Sequence, residues 1–189
     1  MSNKVKYGLK NVHYAPLTET NGIVTYGDYE KIPGAVNLTT SPVGDTVEFY
    51  ADDVLYYNED VNDGYDGNLE IALIPDKFRV DVFGDTIDAN GGLIENTNTA
   101  KSNKIALAFE FNGDAKKTRH VLYSVKVSRP NIDASTKTKT KEVKTESMAI
   151  QSRPRIDTGD VKAKLEQGKA GYDSFFSKVY EPTTTEAGE

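Results

Sequence analysis

The stretch Tyr56–Asn68, YYNEDVNDGYDGN, sets three Asp, one Glu, three Asn and two Gly together with no positive charge. Three kinds of chemistry use such a set: a calcium loop, a catalytic carboxylate pair, or an acidic arm that meets another protein molecule. An EF-hand loop needs oxygen ligands at positions 1, 3 and 5, glycine at 6 and glutamate at 12. With Gly64 at position 6, Glu70 falls at 12 and Asp63 at 5, but Glu59 stands at 1 and Val61 at 3, where valine coordinates nothing. With Gly67 at position 6, position 12 becomes Leu73 and position 3 becomes Gly64. No flanking helices are evident, so the standard loop is excluded. An irregular cation site using Asp60, Asn62, Asp63 and Asp66 stays open.

Carboxylates paired for glycoside hydrolysis call for sugar-stacking aromatics beside them. Tyr50, Tyr56, Tyr57 and Tyr65 are near, but a half-buried β surface has the same aromatic density, and the chain has no Trp. His13 and His120 lie in strand patterns and belong to no nucleophile or metal motif. Zero Cys removes disulfides, thiol catalysis and thiolate metal sites. There is no Gly-rich phosphate loop and no dinucleotide fingerprint. The expectation is a protein that is not an enzyme, with no catalytic, cofactor-binding or metal residue assigned and no cofactor.

Charge is the more informative signal. The net charge is -6, which argues against a protein that grips nucleic acid through its phosphates. From Ile32 to Asp76 there is no Lys or Arg against ten acids, whereas from Lys101 to Lys144 eleven basic residues stand against four acids. If the two halves occupy different faces, copies attract head to tail, a heterologous contact that builds rings or filaments. If they neutralise each other within one molecule, the segregation has no such consequence.

The elements that must position these charges are mainly strands. In KIALAFEFNGD, Ile105, Leu107, Phe109 and Phe111 share one face and Ala106, Ala108 and Glu110 the other. In RHVLYSVKVSRP, Val121, Tyr123, Val125 and Val127 oppose His120, Ser124, Lys126 and Ser128, with Leu122 as the apolar exception. These read as two long antiparallel strands, each with one buried face. Further strands are expected at Lys4–Tyr14, Ala35–Thr40, Asp45–Tyr50, Val54–Tyr57, Asn68–Ile74, Leu93–Glu95 and Glu142–Gln151, between turn-forming clusters, as in a β-sandwich or barrel.

PDKFRVDVFG reads as a helix from Pro75 closed by Gly84, although Phe78, Val80 and Val82 also alternate as in a strand. Tyr172, Phe175, Phe176 and Val179 form a helical apolar stripe ended by Pro182. An acidic loop is expected over 51–67. A basic ribbon is expected over 135–145, where Lys137, Lys139 and Lys141 alternate with threonines. At 189 residues the chain suits a single domain over 1–182 with a flexible tail, 183–189. MSNKVKYGLK lacks the apolar core of a signal peptide and no eighteen-residue apolar run exists, so synthesis in a cytosol without a membrane span is expected.

Several stretches together resemble the major tail protein, or tail tube protein, of long-tailed, siphovirus-type phages of Gram-positive bacteria. They are NKVKYGLKNVHYAPL, GGLIENTNTAKSNKIALAFEFNGDAKKTRHVLYSVKVSRP, TESMAI and FFSKVYEP, spread in order across nearly the whole chain. The resemblance implies a β-sandwich with one flanking helix, long loops and terminal arms. It maps the helix onto Pro75–Phe83. It further implies hexameric rings whose strands join into a barrel, stacked as the tail tube through which DNA passes without specific binding. The implied partners are further copies of the chain, a tape measure protein, a tail terminator and a distal tail protein. The implied location is the virion, assembled in the bacterial host cytoplasm.

Within that picture Ile105–Phe111 and Val121–Val127 are candidates for the lumen sheet. The expected assembly contacts are Asp52, Asp53, Glu59, Asp60, Asp63 and Asp66 of the acidic arm against Lys137, Lys139 and Lys141 of another copy. The alternative is a monomeric carbohydrate- or cation-binding β-sandwich module.

Overall fold

The structure, a computed structural model, describes residues 8–98, 101–132 and 144–183. Along the chain lie β1 (Leu9–Thr20), β2 (Ile23–Tyr26), β3 (Glu30–Lys31), β4 (Ala35–Val43), β5 (Thr46–Ala51), β6 (Val54–Asp60) and β7 (Gly64–Ile71). After them come α1 (Asp76–Phe78), β8 (Thr86–Ile87), β9 (Leu93–Ile94), β10 (Ile105–Phe111), β11 (Arg119–Val127), β12 (Glu146–Ser152) and β13 (Lys162–Leu165). Nine strands form one antiparallel sheet in the order β2-β1-β10-β11-β12-β7-β4, with β13 joined to β11 and β3 to β1. β1 also packs against β4, so the sheet curls and encloses a core, as a β-sandwich does. The strands Ile105–Phe111 and Val121–Val127 pair as their alternation predicts.

Each of those two strands has two buried faces, which corrects the expectation of one. Ile105, Leu107 and Phe109 enter the main core with Val12, Tyr14, Leu69, Ile71, Met148 and Ile150. Ala106 and Ala108 enter a second cluster with Val121, Tyr123, Phe175 and Val179. The register of β10 on β11 shifts between Ile105 and Leu107, with Ile105 opposite Val125 and Leu107 opposite Leu122. One extra residue on β11 turns its apolar set over partway along. Leu122, Val125 and Val127 therefore face the main core, while Val121 and Tyr123 face the other. The apolar Leu122 that broke the alternation in the sequence marks this bulge.

The main core is closed by the segment after Pro75, which is helical. α1 runs into a single wide π turn, Arg79–Phe83, and Gly84 ends it in the left-handed region at φ 72°. Phe78, Val82 and Phe83 are buried, with Phe78 edge-on to Tyr14 at 4.9 Å between ring centres.

The second cluster is covered by residues 166–180, which form successive tight turns in place of the expected helix. Phe175 N–H donates to Tyr172 O and Ser177 N–H to Ser174 O, while Gly168 and Gly171 take φ of 87° and 84°. Tyr172, Phe175 and Val179 are buried as the stripe implied, but side-chain anchors hold them. The Arg119 guanidinium lies 3.9 Å from the Tyr172 ring centre, and the Tyr123 hydroxyl donates to Tyr180 O at 2.8 Å.

His13 touches this cover, its ring 4.8 Å from that of Phe176, and its Nδ1–H donates to Asn11 O at 2.8 Å. Burial is the largest influence on the ring and lowers its pKa from the ordinary 6.5. The unfolded chain then takes up the proton first, so this contribution to stability is complete above about pH 6.5 and is lost as pH falls through that value. His13→Gln is expected to flatten the fall in urea midpoint between about pH 7 and 5. An unchanged slope would remove His13 as its cause.

At Gly67 a Cβ would lie 1.8 Å from Thr39 O on the neighbouring strand. Gly67→Ala is therefore expected to push β4 off β7 and cost about 1–3 kcal/mol, an overpacking cost. Thermal unfolding measures it, and an unchanged midpoint would contradict so close an approach. No helix among the described residues is long and apolar enough to cross a membrane.

Candidate functional site: the projecting hairpin

β4 and β7 do not end where they leave the sheet. Their ladder continues through Asp63 N–H to Val43 O at 2.8 Å and Val61 N–H to Asp45 O at 2.9 Å, and then becomes the β5-β6 hairpin. Gly44 allows this joint, since a Cβ there would sit 1.7 Å from Val61 O. Thr46–Ala51 pairs with Val54–Asp60, and Asp52 and Asp53 alone make the turn at φ 51° and 61°. Two positive φ values suit the primed turn that matches strand twist, and Asp tolerates them better than most side chains. The pairing shifts between Phe49 and Tyr50, which leaves Tyr56 as an extra residue on β6.

At about 3.3 Å per residue the hairpin reaches roughly 20 Å beyond the sheet. Both its faces are bare. Val47, Phe49, Tyr50, Val54, Leu55, Tyr56 and Tyr57 are all exposed, with Tyr56 at 76%. Phe49 and Tyr56 meet edge-on at 6.5 Å between ring centres. One side-chain bond crosses between the strands, Thr46 Oγ1 donating to Asp60 at 2.7 Å, while Tyr50 OH donates to Glu48 at 3.0 Å along β5 and Tyr57 OH to Glu59 at 2.5 Å along β6. The last bond raises the Tyr57 pKa above its ordinary 10.0. A lone two-stranded hairpin is marginal in water, and its contiguous exposed apolar surface makes it the candidate site.

The expected acidic loop 51–67 is thus a correction. Residues 54–60 are a strand and 64–67 belong to β7; only 52–53 and 61–63 connect elements. A two-residue turn satisfies the backbone of both flanking segments, which a long loop would leave to water. The acids divide accordingly. Asp52 and Asp53 form the tip, Glu59 and Asp60 lie on β6, and Asp63 sits in the joint. Asp66 is on β7 and bonds Arg153 at 2.6 Å within the same molecule, so it is not an arm residue. Among the described residues no three or more His, Asp or Glu side chains converge on a possible metal position. Lys137, Lys139 and Lys141, with most of the ribbon 135–145, lie outside the described residues, as do 184–189 of the expected tail.

The apolar hairpin residues Phe49, Tyr50 and Leu55 were not predicted as site residues. Their signal was present as TVEFYADDVLYYNED, two apolar runs around Asp-Asp. A second correction concerns the lumen candidates. β10 and β11 are central strands with both faces covered, so neither presents a face to a channel. The open face belongs to β4, β7 and β12. Its outward residues are Asn37, Thr39 and Ser41, then Asn68 and Glu70, then Ser147, Ala149 and Gln151, row against row. Their inward neighbours Leu38, Leu69, Met148 and Ile150 enter the main core. No protein-family model matches the chain, and no curated protein matches it.

Proposed function

We propose that the chain is a structural subunit that assembles with copies of itself into rings and stacked tubes, as a phage tail tube protein that conducts the genome into the host. The observation that carries this reading is the projecting hairpin, whose seven exposed large apolar side chains have no cover among the described residues. An interface that buries them gains about 25 cal/mol for each Å² of apolar surface removed from water. The sheet supports the same reading. β4 is an edge strand carrying Pro42, and such edges lose their unpaired backbone groups when a ring closes.

The open face of β4, β7 and β12 suits a channel for DNA. Its outward residues are small and polar with an acid at Glu70, and the bases at its margin are Arg153, paired with Asp66 at 2.6 Å, and Lys126, opposite Gln151 on β11. A surface with few basic grips lets a polyanion slide. In the virion such a tube would meet a tape measure protein, a tail terminator and a distal tail protein, as the sequence resemblance implies.

Sedimentation velocity at rising protein concentration tests self-assembly. Species well beyond the monomer are expected to grow with concentration, and a single monomer boundary throughout would sink the reading.

A further inference from the structure

The cover over the second cluster, residues 166–180, is tied to the sheet by side chains and not by a strand ladder. Apart from Gln167 N–H to Lys116 O at its start, its backbone bonds are local turns, such as Tyr172 N–H to Lys169 O and Lys178 N–H to Ser174 O. Side chains anchor it. Arg119 donates to Tyr172 O, the Tyr172 hydroxyl to Lys117 O at 2.7 Å, the Tyr123 hydroxyl to Tyr180 O at 2.8 Å, and the buried Arg155 to Glu181 at 2.5 Å. Beneath it lie Ala15, Ala106, Ala108, Val121 and Tyr123, a cluster distinct from the main core. A segment built this way opens on its own at a lower free energy than the whole fold.

His13 stands under the edge of this cover, its ring 4.8 Å from that of Phe176 and edge-on to Tyr29 at 6.0 Å. Two charges act on it: Lys31, its partner on β3, disfavours a positive ring, and Glu110 of β10 favours one. Glu110 is already shared by Lys10 at 3.3 Å, Arg119 at 3.5 Å and the Asn11 amide at 2.7 Å. Glu30, the acid of β3, is paired with Lys77 at 3.5 Å. Of the cover's own charges, Glu166 and Glu181 are paired with Lys116 and Arg155, and Asp173 and Lys178 line cavities that His13 does not border. Phe176 already carries the Arg119 guanidinium 4.7 Å from its ring centre. A proton on His13 therefore brings a second cation to a ring that Arg119 occupies, and the acid facing it is spent on two other bases.

We infer that the cover is a pH-sensitive strap: it stays closed while His13 is neutral and opens as a unit when that ring takes up a proton, baring the alanine-lined face while the main core stays folded. This goes beyond the assembly reading and holds within one molecule whether or not copies associate. Burial, the largest influence, keeps the ring of the closed form below its ordinary 6.5. Opening is thus indifferent to pH well above that value and takes up a proton as pH falls through it. Uptake of one proton limits the rise in the open population to about tenfold between pH 7.5 and 5.5.

Hydrogen–deuterium exchange of the full chain, read by mass spectrometry, measures this opening once each rate is divided by that of an unstructured peptide at the same pH. Protection of the strap amides, Tyr172, Phe175 and Lys178 among them, is expected to fall severalfold from pH 7.5 to 5.5, while β7 and β12 keep theirs. His13→Gln is expected to retain strap protection at pH 7.5 and to abolish the fall. Constant strap protection in the parent chain would overturn the inference. An equal fall in β7 and β12 would do so too, because the whole fold would then be opening. A fall that persists in His13→Gln would remove His13 as the sensor and overturn it likewise.

Discussion

Replacing Phe49, Tyr56 and Tyr57 together by serine is expected to abolish self-assembly while leaving the isolated subunit as stable as before. In the single molecule these rings are 57%, 76% and 50% exposed, and none belongs to either buried cluster. Surface substitutions of that kind change folding stability by no more than about 0.5 kcal/mol. At an interface the same rings act as anchors, and truncating such a residue costs about 2 kcal/mol or more. Three of them amount to a loss of roughly ten-thousandfold in each contact, since about 1.4 kcal/mol is a factor of ten. Repetition around a ring multiplies the effect. Thermal unfolding and sedimentation of the same preparation separate the two quantities. A variant that assembles as the parent does, or one that unfolds earlier by several degrees, would remove the hairpin from its proposed role.

The largest effect on stability is expected from Arg129→Ala. The guanidinium binds Asp85 through two bonds, Nη2 to Oδ1 at 2.6 Å and Nη1 to Oδ2 at 3.2 Å. It also donates to Phe83 O at 3.0 Å, lies 4.9 Å from the Phe83 ring centre, and pairs with Glu95 at 3.1 Å. It thereby fixes the π turn and the residue after β9 to the end of β11. The Asp85 side chain is 2% exposed, so losing its partner leaves a charge buried without compensation. Breaking such a pair costs about 3–5 kcal/mol, whereas replacing both members by apolar groups can be near neutral. Urea unfolding of Arg129→Ala beside Arg129→Met with Asp85→Leu measures both halves of that argument. A loss below about 1 kcal/mol in the single variant would show that Asp85 is not held by Arg129.

Strands with one repeating pattern were legible in the sequence. The alternation of Ile105, Leu107, Phe109 and Phe111 located β10 and its core face, because side chains along a strand alternate by geometry alone. What alternation cannot reveal is whether the second face is covered, since alanine suits a buried cluster and an exposed surface alike. The cover is made by Tyr172, Phe175 and Val179, more than sixty residues further on. Their spacing fits a helix, but the same spacing places one apolar residue in each of several successive turns, and Arg119 and Tyr123 hold those turns in place.

The segment from Pro75 to Gly84 was ambiguous between helix and strand, and burial of Phe78, Val82 and Phe83 together decided for the helix. The projecting hairpin was hidden by its acids. Counting Asp and Glu suggested a loop over 51–67, while Asp52 and Asp53 were the turn and the residues on either side were strands. Charge segregation in the sequence pointed to assembly, and the structure sharpens which groups would meet. In the proposed assembly the apolar residues of the hairpin would supply contact area, and Glu48, Asp52, Asp53, Glu59 and Asp60 would supply direction. Asp66 is already paired with Arg153.

Negative-stain electron microscopy of the purified chain at rising concentration tests the central claim most directly. The account predicts rings of six-fold symmetry that stack into tubes with an open lumen. Single particles of monomer size at every concentration would contradict it.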